Sequence, residues 1–320
     1  MASKLGILLL KKLLYGIPLI FGVTLISFLL MVYFGPDKTY DLLGRHPTAE
    51  QIAEVRQQLG YDQDFFTRYS KYLVEVVTLD FGSSDSNGED VGKILSRTIP
   101  ISLMVELPGF ILGNILAIAL ALIAAAYRGQ MIDKAIMAIS VVGMSISVVI
   151  VLILFQLIFC SSYGLGWFPV QGWEVDSLAS YLKYVTVPTC ASAFVALGYN
   201  TRFYRSVLVE EMNRDHVRTA RAFGFSTIKL MWRSVLMNSM VPICTRLVLS
   251  LPYLLIGGSL LVESYFSIPG VGLVTYDAVT TGDQPILKAV VTLTAVLYVI
   301  LLLLTDLLYQ WVDPRIRGAS

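Results

Sequence analysis

Six stretches of roughly twenty mostly apolar residues constrain this chain more than any motif in it, because each is long enough to cross a bilayer as a helix rising 1.5 Å per residue. They fall near residues 13–34, 99–126, 135–160, 184–207, 237–262 and 286–311. Composition agrees: apolar residues make up 56% and charged residues 15% of 320 positions, with a mean hydropathy of +0.70. That is the profile of a chain that spans a membrane several times. Proline and glycine interrupt some stretches, with Pro108, Gly109 and Gly113 in one and Pro252, Gly257 and Gly258 in another. Bundles tolerate such breaks where neighbouring helices satisfy the freed backbone groups. The first stretch follows Lys4, Lys11 and Lys12 as a signal peptide would, but its length and the lack of a small-residue cleavage box predict a retained anchor.

Orientation follows from the basic residues, because short loops rich in Lys and Arg stay inside. Lys4, Lys11 and Lys12, then Arg128 and Lys134, then Arg202, Arg205, Arg214, Arg218, Arg221, Lys229 and Arg233, and finally Arg315 and Arg317 all fall on one side of a six-span layout. Both termini are therefore expected inside. The expected organisation is an N-terminal segment with the first span over 1–34, an extracytoplasmic domain over 35–98 and a five-helix core over 99–320 with a cytoplasmic loop at about 208–236.

The long outer loop contains a folded element. Thr48-Ala49-Glu50-Gln51 fits a capping box, Ile52, Val55 and Leu59 recur at helical spacing, and Gly60 is placed to stop the helix. Phe65, Phe66, Tyr69 and Tyr72 suggest a second amphipathic turn, and residues 83–88 read as a loop. Such a cap docks a partner or simply covers the bundle; the residues favour neither.

Several chemistries are missing. There is no G-x-x-x-x-G-K-[ST], so this chain is not expected to bind ATP through a P-loop. Its histidines are His46 and His216, which leaves no H-E-x-x-H metal site. Gly143-Met144-Ser145 lacks the rest of a nucleophile elbow, and Cys160, Cys190 and Cys244 have no C-x-x-C spacing. No catalytic residue, cofactor or metal is expected in this chain, and nothing in it calls for nucleic acid. A membrane hydrolase would need the constellation that is absent.

The compact charged segment lies between the fourth and fifth stretches. Asp215 is placed to cap a short helix from 216 to 223, Gly224 to end it in the left-handed conformation, and Ser226 to cap the next helix. Arg214, Arg218 and Arg221 share one face of the short helix, while Val217, Ala220 and Gly224 form a small smooth face. Two readings fit: a handle for a partner protein, or a basic loop lying on anionic membrane lipid.

Val217-Arg218-Thr219-Ala220-Arg221-Ala222-Phe223-Gly224, with Trp232-Arg233 and Asn238 beyond it, resembles the EAA coupling loop of binding-protein-dependent ABC importers. It is most similar to that of the first, or B-type, permease subunit of the dipeptide, oligopeptide and nickel family. The likeness runs through Ile17-Pro18, Gly22-Val23, Phe34-Gly35-Pro36-Asp37, Leu59-Gly60-Tyr61-Asp62 and Asp80-Phe81-Gly82-Ser83. It continues through Glu263-Ser264-Tyr265-Phe266-Ser267-Ile268-Pro269-Gly270-Val271-Gly272, Gly282-Asp283-Gln284-Pro285 and Val312-Asp313-Pro314-Arg315-Ile316. Phe223 stands where the family usually has lysine, and His216 where it usually has tyrosine.

The resemblance implies a type I importer permease fold in a prokaryotic inner membrane, paired with a second, C-type permease subunit. It also implies two cytoplasmic ATPases, carrying ATP and Mg²⁺ in their own chains, and an extracytoplasmic substrate-binding protein. Asp215 and Val217 to Gly224 would meet the ATPases, and Glu263, Pro269, Gly270 and Gly272 would form an outer gate or a contact for the binding protein. From the residues alone, 267–272 is equally a plain re-entrant turn. Peptides are the expected cargo; nickel chelates, glutathione or oligosaccharides are alternatives within the same class. A passive channel would have no use for the hairpin.

Polar residues inside spans are costly and often functional. Arg246 and Asp306 are expected to pair or to line the inner vestibule. Glu106, Asn114 and Gln156 either line the pathway or hydrogen-bond between helices, and Gly257, Gly258 and Ser259 allow close packing.

Overall fold

The computed structural model describes residues 16–34, 39, 43, 48–58, 60–254 and 259–312, with the side chains of 58, 253, 303 and 306–312 left out of the description. Among these residues the regular structure is all helical, with a single isolated bridge between Ser83 and Asp90. Four helical runs are long and apolar enough to cross a membrane, namely Gly16–Tyr33, Val91–Ala126, Thr227–Pro252 and Gln284–Leu302. A bent pair makes a fifth if it counts as one span.

The chain divides into two compact units. The first comprises Met1–Ser96 and Val274–Val299. Its described elements include α1 (Gly16–Tyr33), α2 (Ala49–Gln58) and α3 (Phe65–Thr78). The expected capping box is formed at α2: the Thr48 N–H donates to Gln51 Oε1 at 2.9 Å and the Gln51 N–H to Thr48 Oγ1 at 3.4 Å. Gly60 turns the chain at φ 70°. The second amphipathic stretch is a full helix, because Asp64 caps it by accepting from the N–H groups of Phe66 and Thr67. Its aromatic face packs on α1. Phe28 is fully buried among Tyr33, Phe65, Tyr69 and Tyr72, with ring centroids 5.2 to 6.3 Å away. The segment carrying α2 and α3 thus does not stand alone, since residues Val274–Val299 fold with it.

Two motifs far apart in sequence meet in this unit. Asp283, 1% exposed, accepts from the Ser84 hydroxyl at 2.5 Å and the Ser86 N–H at 3.1 Å, so the Gly282-Asp283 turn is pinned to the 83–88 loop. Lys288 reaches Glu75 on α3 at 2.6 Å.

The second unit comprises Arg97–Leu273 and Ile300–Ser320. Here α4 (Val91–Ala126) packs on α7 (Leu178–Met212) through small residues. A Cβ at Gly109 would sit 3.1 Å from the Thr189 carbonyl oxygen, and one at Gly113 3.1 Å from the Ala193 Cα. This is the close approach that a small-xxx-small pair permits. Proline inside α4 (Pro100, Pro108) and α7 (Pro188) is accommodated in the helical runs.

The stretch expected as one span over 135–160 is instead two helices, α5 (Met131–Ser145) and α6 (Val148–Phe159), bent by 99°. Ile146 and Ser147 take extended backbone angles there and break the hydrogen-bond ladder. The stretch over 184–207 lies inside the longer α7, which does not pass as a span by apolarity, because Thr186, Pro188, Thr189, Ser192, Tyr199 and Asn200 dilute its apolar residues. The 237–262 stretch divides similarly. A helical run α9 (Thr227–Pro252), loosened to a π-helical turn over Leu230–Leu236, is followed after undescribed residues by α10 (Ser259–Phe266). The chain ends in α11 (Val271–Thr281) and α12 (Gln284–Val312). Gly257 and Gly258 lie outside the described residues.

Candidate functional site

The charged hairpin is built from a buried base outward. Its short helix, α8 (Asp215–Ala222), begins one residue earlier than expected: Arg214 is the N-cap, and Asp215 is the first helical residue. Asp215 therefore does not cap. Its carboxylate lies in the first turn, where it complements the helix dipole, with Arg218 Nη1 at 3.5 Å. Gly224 adopts φ 78°, the left-handed turn expected of it, and donates its N–H to the Arg221 carbonyl at 3.0 Å. Ser226 accepts from the Lys229 N–H at 3.5 Å and starts α9.

The faces of α8 are not used as the sequence suggested. Val217 is fully buried and Ala220 packs against the same cluster, with Tyr204 and Leu208 of α7 and Leu230, Met231 and Val235 of α9. Two of the three small-face residues, Val217 and Ala220, are thus turned to the chain's own core, and Gly224 is not. What faces outward is Arg218, Thr219, Arg221, Ala222, Gly224 and Phe223, the last 79% exposed. Two further apolar side chains, Ile228 and Trp232, are exposed beside them on α9.

His216 ties the hairpin down. Its Nε2 lies 3.1 Å from Glu211 Oε1 on α7 and 3.2 Å from the Ser234 carbonyl on α9, so two acceptors share that nitrogen's hydrogen. Arg214 adds a contact to Glu211 at 3.1 Å. Arg205 and Asp133, which sequence reading missed, form a two-pronged ion pair at 2.6 Å for each bond. Charges at the ends of separate helical stretches were visible, but nothing in their spacing shows which ones pair.

Around 263–272 the structure places Glu263 inside. It is fully buried, and its Oε2 accepts from the N–H groups of Gly272 at 2.7 Å and Leu273 at 3.3 Å. Ser102 Oγ on α4 accepts from the Val271 N–H at 2.8 Å. A Cβ at Gly270 would meet Glu263 Oε2, and one at Gly272 the backbone of Ser259. Of the four residues expected at an outer contact, only Pro269 is exposed; the other three hold the turn from within.

The intramembrane polar residues separate into two kinds. Asn114 accepts from the Tyr204 hydroxyl at 2.5 Å and from Asn200 Nδ2 at 3.1 Å, joining α4 to α7. Gln156 accepts from the Tyr265 hydroxyl at 2.7 Å and donates to the Val170 carbonyl at 2.9 Å. Both are interhelical ties. Glu106 and Arg246 instead line one cavity of about 400 Å³ between α4, α6, α7, α9 and α10. Asp306 lies on α12, but its side chain is outside the described residues, and so is any pairing with Arg246.

Residues 117–318 match the family described as binding-protein-dependent transport system inner membrane component, and residues 7–104 match the N-terminal membrane component of such systems. A probable peptide ABC transporter permease of Sinorhizobium fredii is 29% identical over 315 residues, covering 98% of this chain and all of the relative. A putative peptide transport system permease of Brucella abortus is 29% identical over 314 residues, 97% of this chain and 98% of its own. A glutathione transport system permease of Salmonella paratyphi A is 33% identical over 309 residues, 96% of this chain and 98% of its own. Family matches at both ends of the chain, with apolar helices between charged turns, therefore identify it: the chain belongs to the inner membrane component family of binding-protein-dependent transport systems, a multi-pass bacterial permease subunit that works with ATPase and substrate-binding partners.

Proposed function

We propose that this chain forms half of the translocation pathway of an ATP-driven importer of peptides or peptide-like solutes, with a second, C-type permease subunit forming the other half. Six spans, both termini inside, would place α8 in the cytoplasm. There it would dock on one of two ATPases that hold ATP and Mg²⁺ in their own chains. An extracytoplasmic binding protein would deliver cargo on the opposite side, with the exposed Pro269 as one contact. Relatives named for peptide and for glutathione transport support this class of cargo.

The observation that carries the reading is the hairpin's construction. Val217 roots it in a cluster shared by α4, α7 and α9, while Arg218, Arg221, Ala222 and Phe223 are presented outward. A force applied at the outward face passes into several packed helices at once, as rigid-body switching between inward-open and outward-open states requires. A basic loop that merely rests on lipid has no need of a buried root, a left-handed turn and a histidine strap.

The test is co-purification and transport. Gly224→Pro removes the N–H that reaches Arg221 and forces φ away from 78°, so the hairpin is misdirected. With normal membrane insertion, that variant is expected to lose the ATPase subunits and import. Retained association and import would sink the reading.

A further inference from the structure

A guanidinium within an apolar span is costly against lipid, so it must meet water, an acceptor or a counter-charge. Arg246 stands in the run Thr227–Pro252, which is apolar enough to cross a membrane, yet its side chain is exposed. Among the described residues it forms no ion pair; the face of Phe203 lies 5.4 Å from its guanidinium carbon.

What Arg246 opens on is the cavity of about 400 Å³, a volume within the range of small-ligand sites. The wall is mostly apolar. Glu106, Ser192, Asn200, Arg246 and Ser250 are exceptions. Glu106 is 3% exposed, and one of its carboxylate oxygens has no hydrogen-bond partner among the described residues; the same holds for the Ser192 hydroxyl. Buried polar atoms are rarely left so. A guanidinium and a buried carboxyl group thus border one cavity, and among the described residues a carboxyl oxygen lacks a partner.

The dimensions fit a particular cargo. On α7 the wall runs from Ser192 to Asn200, roughly 12 Å at 1.5 Å per residue. An extended peptide advances about 3.4 Å per residue, so the length matches about three residues.

We propose that this cavity is a binding station inside the permease chain for short zwitterionic peptides, with the carboxylate at Arg246 and the ammonium at Glu106. The inference rests on the importer reading above and adds a selecting step within the membrane, beyond the selection made by the binding protein. Asn200 and Ser250 offer hydrogen bonds to the peptide's own amides, and Val148, Leu152 and Leu261 face its side chains.

The test uses the complete transporter in proteoliposomes, with trialanine, its C-terminal amide and its N-acetyl form as probes. Each is supplied at saturation of the binding protein, whose affinity for it is measured separately. The wild type is expected to import trialanine faster than either blocked form. Arg246→Gln is expected to slow trialanine roughly tenfold or more, down to the rate of the amide, and Arg246→Lys to recover part of the loss. Glu106→Gln is expected to erase the preference over the N-acetyl form. Wild-type rates in both variants, or an equal loss for all three probes, would overturn the proposal while leaving the importer reading intact. If the Gln variant does not assemble, a fully wild-type probe preference in Arg246→Lys, which keeps charge and length but not the fork, overturns it instead. A wild-type complex that imports none of the probes overturns the peptide reading and the station with it.

Discussion

Arg205 holds Asp133 across 72 residues of sequence, Nε on one carboxylate oxygen and Nη2 on the other, each at 2.6 Å. The second of these oxygens also accepts the Gly129 N–H at 2.8 Å, and Arg128 reaches Asn213 at 3.2 Å. The turn between α4 and α5 is thereby fastened to α7 just before the hairpin. Removing one partner strands the other where little water reaches it. Asp133→Asn and Arg205→Lys are each expected to cost about 2 kcal/mol of stability, read as a lower thermal midpoint in detergent. The exchanged pair Asp133→Arg with Arg205→Asp is expected to recover part of it.

The Asp283 contact is expected to be acid-sensitive. Burial alone would push its carboxyl up, but the Ser84 hydroxyl and the Ser86 N–H and hydroxyl outweigh this and hold it below the ordinary 3.8. A depressed folded value means the contribution is complete above the ordinary value and lost as pH falls through the lowered one. Amide exchange at Ser86, corrected for its intrinsic rate, is expected to stay level from about pH 8 to 5 and to rise below about 4. In Asp283→Asn that acid step should vanish.

Two glycines in the 263–272 turn are expected to differ. A Cβ at Gly272 runs into the Ser259 backbone, which cannot move aside, whereas one at Gly270 meets the side chains of Glu263 and Ser102. Overpacking of this kind costs about 1–3 kcal/mol, so Gly272→Ala should sit at the upper end and Gly270→Ala below it. Thermal midpoints of the two purified variants give the order.

Buried and exposed hairpin residues should separate stability from docking. Val217→Ala empties part of a closed cluster and is expected to cost about 1–2 kcal/mol of folding stability. Phe223→Ala removes an exposed ring and is expected to leave the thermal midpoint unchanged while weakening ATPase association roughly tenfold or more. Unchanged ATPase affinity in Phe223→Ala would remove that ring from the contact.

Much of this architecture was legible in the chain. Helix caps and stops depend on nearest neighbours, so Thr48 with Gln51, Gly60, Gly224 and Ser226 could be read directly. Apolar length found the helical stretches but not the break at Ile146 and Ser147, because backbone angles at two uncapped residues leave no compositional trace. Helical periodicity grouped Val217 with Ala220 correctly yet could not say which face is inward, since a small face suits a partner's groove and the chain's own core equally well. Glu263 was read as an outer contact for the same reason: an acidic residue beside a Pro-Gly turn looks solvated until the amides of Gly272 and Leu273 close on it.

The bend between α5 and α6 has a consequence for where water can go. The twelve residues of α6 extend about 18 Å, too short for a hydrocarbon layer of about 30 Å, so α6 does not cross such a layer by itself and a span that includes it turns within the layer. The first amides of any helix lack acceptors within it, and here the Ser147 side chain supplies none. Bare amides at that depth persist only beside protein acceptors or water. Val148, the first residue of α6, borders the cavity shared with Glu106 and Arg246. The corner therefore puts a wettable patch of main chain beside that cavity, and hydration there needs no polar side chain at all.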